Sequence, residues 1–111
     1  MLEVPSLSPS ISILTSVDSL EYAKSIAQQL IQQHLAGCVQ QTTGLSTYQW
    51  DDSIEYSHEY YLHIKTHPDL KDQVIAWLET NHPYDTPEII VLDSSSSQAY
   101  GDWLYSQTHQ A

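Results

Sequence analysis

The sequence predicts an α+β fold of the ferredoxin-like class: an antiparallel sheet with helices on one face, built in the order βαββαβ and closed by a C-terminal helix. Three observations carry this expectation. Apolar residues switch between a period of two and a period near 3.6 in that order along the chain. Turn and capping residues fall at the switches. Two long β-favouring runs, 38–50 and 54–65, are separated only by Asp51-Asp52-Ser53, which makes them a hairpin.

Residues 1–9, which include Pro5 and Pro9, read as a flexible tail, and residues 10–111 as a single domain. Ser10 to Thr15 is the first strand. Asp18 opens the first helix with Glu21 three residues on, an acidic variant of the capping box. Leu20, Ala23, Ala27, Leu30, Ile31 and Leu35 recur at helical spacing, and Gly37 is expected to stop the helix. Cys38 to Trp50 is Thr-rich and extended, with Gly44 in its interior predicting a bulge. Ile54, Tyr56, His58, Tyr60, Leu62 and Ile64 then alternate with mostly polar residues along a second long strand. Thr66 and Asp69 are expected to cap a helix that carries Pro68 in its first turn and buries Leu70, Val74, Trp77 and Leu78.

Pro83 and Pro87 then fix φ on either side of Tyr84-Asp85-Thr86, ending that helix in a stiff corner and launching a strand over 88–92. Asp93 to Ser97 reads as a polar loop. A closing helix over 98–109 presents Tyr100, Trp103 and Leu104.

One length does not fit an isolated chain. Residues 53–65 at about 3.3 Å each span about 43 Å, whereas a chain of this size has a diameter of about 34 Å. The hairpin must protrude or curl. It carries Tyr48, Trp50, Tyr56, Tyr60 and Tyr61, and such surface seldom stays exposed. The expectation is a homo-oligomer in which each hairpin packs on a neighbour.

Composition removes whole classes of partner. Fourteen acids face three lysines and no arginine, a formal net charge of −11, which opposes nucleic acid and anionic membrane. Without arginine the best bidentate clamp for phosphate is missing. The single cysteine excludes an intramolecular disulfide. Met1-Leu2-Glu3-Val4 has no basic secretory n-region and no apolar run is long enough to span a bilayer, so the expected location is the cytoplasm.

Catalytic patterns are lacking. There is no Gly-x-Ser-x-Gly elbow, and Gly37, Gly44 and Gly101 are isolated rather than grouped in a phosphate loop. Cys38 starts a strand instead of a helix, so nothing there depresses its pKa. The expectation is not an enzyme, with no cofactor required. For metals, His63 and His67 straddle a strand–helix junction, and His58 and Glu59 point to opposite strand faces, so neither pair chelates. His82 and Glu88 end the proline corner and could meet Cys38 from a neighbouring strand, a donor set suited to Cu or Zn. The structural alternative has Cys38 as a small hydrophobe, His82 donating to a backbone carbonyl, and Glu88 taking N–H groups or a cross-strand partner.

Leu35-Ala36-Gly37-Cys38-Val39, Ser46-x-Tyr48-x-Trp50, Glu59, Lys65-Thr66, His82-Pro83-Tyr84-x-x-Pro87-Glu88 and Tyr100-x-x-Trp103-Leu104 together resemble the CutA divalent-cation-tolerance proteins. The match covers nearly everything after the tail. It implies a ferredoxin-like subunit forming a homotrimer through its long hairpins, similar to PII signalling proteins. It also implies a cytoplasmic, non-enzymatic protein linked to tolerance of copper and other divalent metals. Ligand proposals for the family use a Cys at the end of the first strand, a His beside the His-Pro-Tyr motif and the motif's final Glu. Here those positions hold Thr15, Asn81 and Glu88, while Cys38 matches the family's other Cys. Thr43-Gly44 and Asp52-Ser53 stand for the usual Pro-Gly and Gly-Lys, with one residue missing at the former. The resemblance with these departures implies divalent-cation binding that is weak if present at all, and the metal ligands expected from the residues themselves remain Cys38, His82 and Glu88. The alternatives are a PII-like small-molecule sensor or a protein-interaction scaffold working in inter-subunit clefts.

Overall fold

The computed structural model describes residues 6–110. Its elements are β1 (Leu7–Val17), α1 (Leu20–Gln32), β2 (Cys38–Trp50), β3 (Ser53–Thr66), a 3-10 turn (Pro68–Leu70), α2 (Lys71–Asn81), β4 (Ile90–Ser97) and α3 (Gln98–Thr108). The four strands form one antiparallel sheet in the order β2-β3-β1-β4, so the predicted α+β class and βαββαβ order hold.

Strand alternation and helical periodicity meet on one face. Ile11, Ile13 and Val17 of β1 and Leu62 and Ile64 of β3 are buried there together with Ala23, Ile26 and Leu30 of α1 and Val74 and Leu78 of α2. Directly paired residues share a face, so Thr15, opposite Leu62, belongs to the same layer. α3 lies against the other face, where Gly101 abuts Ser8 and Ser96.

Several local expectations are corrected. β1 begins at Leu7, and Leu7 to Ser10 pair with Ser97 to Ser94, so the expected serine loop is strand and only residues 1–5 of the expected tail lie outside the described residues. β4 starts at Ile90 rather than at Glu88. Ser19, not Asp18, caps α1, its hydroxyl accepting the Tyr22 N–H at 3.3 Å. α1 stops at Gln32, and His34 supplies the left-handed residue (φ 59°), after which the Leu35 and Ala36 N–H groups both turn to the Leu30 carbonyl. Gly37 is small for a different reason: a Cβ there would stand 2.7 Å from Leu104 Cδ2. Thr66 does not cap the next helix but donates to the Leu35 carbonyl (2.7 Å); His67 caps the 3-10 turn, accepting the Asp69 N–H through Nδ1 at 3.1 Å.

No bulge occurs at Gly44. The β2–β3 register runs unbroken from Cys38↔Lys65 to Trp50↔Ser53, and the glycine is needed because the Tyr61 ring crosses it, 2.5 Å from where a Cβ would be. The two strands join through Asp51 and Asp52, both left-handed (φ 48° and 65°), the conformation a two-residue type I′ turn requires. β3 pairs with β1 only from Tyr60 to Thr66, leaving 53–59 with β2 alone. The hairpin therefore protrudes as its length predicts, and the molecule is 57 Å along its longest axis. Among the described residues, no helix is long and apolar enough to cross a membrane.

Candidate functional site

The proline corner and the sheet face beside it define the site. α2 ends where the His82 N–H bonds the Leu78 carbonyl at 2.8 Å, with Pro83 preventing continuation. The His82 side chain is buried. Its Nε2–H donates to the Ser16 carbonyl at 2.9 Å and its Nδ1 accepts the Tyr84 N–H at 3.1 Å, so both ring nitrogens are engaged and the tautomer is set. Burial pushes this imidazole below its usual pKa, against the opposing pull of the Ser16 bond and the Glu59 and Asp18 charges.

Tyr84, edge-on to His82 at 4.8 Å, donates its hydroxyl to Glu59 Oε2 at 3.0 Å. Glu59 is only 7% exposed, and its other oxygen accepts from Ser57 Oγ at 3.1 Å. Burial and then the Glu59 carboxylate drive the Tyr84 phenol far above its ordinary pKa, so the hydroxyl keeps the proton it donates. The corner is thereby bolted to β3 at the point where β3 outgrows β1.

On the sheet face turned away from α1 and α2, an open groove of about 310 Å³ is lined by Thr15, Gln40, Thr42, Tyr61, His63 and Glu88, among others. His63 Nε2 shares a 2.7 Å hydrogen bond with Ser12 Oγ; burial, then Lys65, lowers the pKa of this imidazole. Thr15 lines the groove from below, but its side chain lies in the layer under α1 and α2, where Oγ1 is buried with no hydrogen-bond partner among the described residues. Glu88 is exposed at the rim. The groove offers one carboxylate, several amide and hydroxyl groups and one imidazole, which suits a polar small molecule or a cation more than an acyl- or phosphoryl-transfer reaction.

The three sequence-predicted ligands occupy three different places. Cys38 starts β2 at one sheet edge, opposite Lys65 and against the Tyr100 hydroxyl, whose pKa is raised by burial and then by the thiol. Glu88 precedes β4, the strand at the other edge, and its carboxylate forms no convergent donor group with Cys38 and His82 among the described residues. His82 sits behind the end of α2 with both nitrogens bonded. One chain does not bring them together as a donor set. Nor do the family's ligand positions fit an ion: Thr15 is a neutral hydroxyl, the Asn81 amide nitrogen donates to the Trp77 carbonyl at 2.8 Å, and only Glu88 carries charge. Sequence reasoning missed the burial of Glu59, because local alternation placed it on a strand's polar side. The Tyr84 hydroxyl that neutralises its isolation lies 25 residues away.

A family model described as "CutA1 divalent ion tolerance protein" matches residues 11–107. The chain is 34% identical over 102 residues to the chloroplastic protein CutA of Arabidopsis thaliana, covering 90% of this chain and 56% of that one. It is 37% identical over 102 residues to the divalent-cation tolerance protein CutA of Thermus thermophilus, covering 86% of this chain and 95% of that one. The chain thus spans little more than half the length of the plant relatives it matches, 56% for Arabidopsis and 59% for rice. Among solved structures, CutA from Synechococcus elongatus superposes with a TM-score of 0.88 at 36% identity, over 93% of this chain and 96% of that one. CutA1 from Oryza sativa gives 0.87 at 32% identity, over 95% and 98%.

Proposed function

Because the chain belongs to the CutA1 divalent ion tolerance family, we propose that it works as a non-enzymatic homotrimer in the cytoplasmic response to divalent metal ions, copper among them. The observation that carries the trimer is the outer half of the hairpin. Among the described residues, 53–59 have β2 as their only strand neighbour, and Leu45, Tyr48, Trp50, Ile54 and Tyr56 are 45–66% exposed. A two-stranded ribbon this apolar is marginal in water. Copies of the same hairpin, laid on one another's sheets, would cover it, and three is the number the family resemblance implies.

In this reading a divalent cation is held weakly, with Glu88 as the accessible carboxylate. Cys38 reaches such an ion only from a neighbouring subunit, and His82 only by surrendering its bond to the Ser16 carbonyl or to the Tyr84 N–H. The charge of −11 opposes nucleic acid and anionic membrane as partners. A second reading, a small-molecule sensor with ligand in the clefts between subunits, is favoured by the open groove of about 310 Å³ lined by Gln40, Thr42, Tyr61, His63 and Glu88. A CutA from Synechococcus elongatus has been solved complexed with a Bis-Tris molecule.

Sedimentation equilibrium tests the assembly. The expected mass is three times 12.6 kDa, and Trp50→Glu combined with Tyr56→Glu returns the single-chain mass. A wild-type protein that stays at the single-chain mass at micromolar concentration refutes the trimer. Calorimetric titration with Cu²⁺ tests the cation: loss of weak binding in Glu88→Gln supports its role, and unchanged binding removes it.

A further inference from the structure

We propose that His67, Asp69 and His109 form a divalent transition-metal site of the Zn²⁺ class that staples the end of α3 to the β3–α2 junction. It stands apart from the groove and does not rest on the trimer. Among the described residues these three are the one group of three or more His, Cys, Asp or Glu whose donor atoms converge, all within 4.8 Å of one another. Asp69 Oδ2 lies 2.9 Å from His109 Nε2 and 3.4 Å from His67 Nδ1. Ligands of a tetrahedral Zn²⁺ with bonds of about 2.0–2.1 Å are about 3.3–3.4 Å apart. Both Asp69–His separations therefore stand near ligand–ligand spacing already, and the two imidazole donors are within 4.8 Å of each other.

The rings are held in place. His109 stacks on Tyr105 with centroids 3.7 Å apart and planes 11° off parallel. His67 meets Tyr105 edge-on at 5.3 Å and His109 at 5.2 Å. The two imidazole side chains are 17% and 24% exposed, while Asp69 is 61% exposed, leaving an open side for entry and for a water ligand. The His67 Nδ1 bond from the Asp69 N–H is the interaction an ion would replace.

The proton count around His109 is the second observation. Its Nδ1 is 3.0 Å from the Tyr105 carbonyl, which only accepts, so Nδ1 carries a hydrogen. Thr108 Oγ1, also 3.0 Å from Nδ1, donates to the Leu104 carbonyl and is free to accept. Nε2 then faces a carboxylate oxygen, a second pure acceptor, at 2.9 Å. With Nδ1 donating to the carbonyl, the Nε2 lone pair and the Asp69 oxygen face one point, the disposition a metal ion bridges. An Nδ1–H fixed on a backbone carbonyl is also how metal-binding imidazoles are oriented. Two imidazoles and one carboxylate favour Zn²⁺, Cu²⁺, Ni²⁺ or Fe²⁺ over Mg²⁺ or Ca²⁺.

The test is titration of the untagged 111-residue chain with Zn²⁺ in chelator-free buffer, read by calorimetry and by thermal melting. One Zn²⁺ per chain and a raised melting temperature are expected. His109→Ala, His67→Gln and the near-isosteric Asp69→Asn should each weaken binding by about tenfold or more. Mg²⁺ should give no shift. Circular dichroism matching the wild type confirms that each variant is folded. Absence of saturable Zn²⁺ binding overturns the site, as does binding unchanged in folded His109→Ala and Asp69→Asn. Binding lost in Glu88→Gln but retained in those two assigns the ion to the groove instead and equally overturns it.

Discussion

Replacing Tyr84 by Phe deletes one hydroxyl and so isolates the bond between the proline corner and β3. That hydroxyl donates to Glu59 Oε2 at 3.0 Å, and Glu59 is 7% exposed, so water does not readily take its place. A hydrogen bond to a charged group is worth about 1.5–3 kcal/mol, and the stranded carboxylate oxygen keeps the loss at that level. Ser57 still serves the other oxygen, which argues for the middle of the range, about 2 kcal/mol. With a urea slope of about 1.5 kcal/mol/M, the unfolding midpoint should fall by about 1.3 M. The assay is urea denaturation at one fixed protein concentration, because assembly makes stability concentration-dependent. Tyr22→Phe, at a half-exposed tyrosine, is the control and should change stability by less than about 0.5 kcal/mol. Glu59→Gln and the double variant complete a cycle, which should return a coupling of about 1 kcal/mol or more. A Tyr84→Phe midpoint no lower than that of Tyr22→Phe, or a coupling near zero, refutes the bolt.

Gly101→Ala sets helix propensity against packing. Alanine gains about 1 kcal/mol in a helix interior, but its Cβ would stand 2.3 Å from Ser8 Cβ, and overpacking costs about 1–3 kcal/mol. The urea midpoint should fall; a rise would show that α3 shifts without cost. Stability should also depend on pH through His82 and His63, both held below their ordinary pKa chiefly by burial. The unfolded chain then binds protons that the folded chain refuses, so this contribution is complete above about pH 6.5 and is lost as pH falls below it. The slope is at most about 1.4 kcal/mol per pH unit for each histidine. His82→Gln should flatten part of the fall between about pH 7 and pH 5.5, and an unchanged slope refutes the assignment.

What could be read from the sequence was what short-range physics decides. The order of elements, the hairpin with its acidic turn, and the buried Leu70, Val74 and Leu78 all follow from periodicity and turn chemistry. Length alone announced the protruding hairpin. The failures share one cause, a partner distant in sequence. Gly44 looked like a bulge because the Tyr61 ring that requires it is on another strand. Ser94 to Ser97 looked like a loop because their partners, Leu7 to Ser10, looked like a tail. Gly37 was assigned to a helix end that His34 makes, while its real neighbour is Leu104.

The candidate sites show the same division. His82 donating to a carbonyl was foreseen as the structural alternative, but that the carbonyl belongs to Ser16 was not. His67 reads locally only as a residue at the strand–helix junction. Nothing local linked it to His109, which arrives from the end of α3, 40 residues beyond Asp69.

The pairing of β1 with β4 has a consequence for the order in which the sheet is built. β1 is an interior strand, yet one of its two neighbours is supplied very late: the Ser10–Ser94 contact closes across 84 residues. Contacts of that span are slow to form, and until they do β1 offers an open row of backbone donors and acceptors to any passing chain. The residues along that waiting row include Ser8, Pro9 and Ser10. Short hydroxyls give an intruding strand little to pack on, and a proline withholds one of the hydrogen bonds it would need.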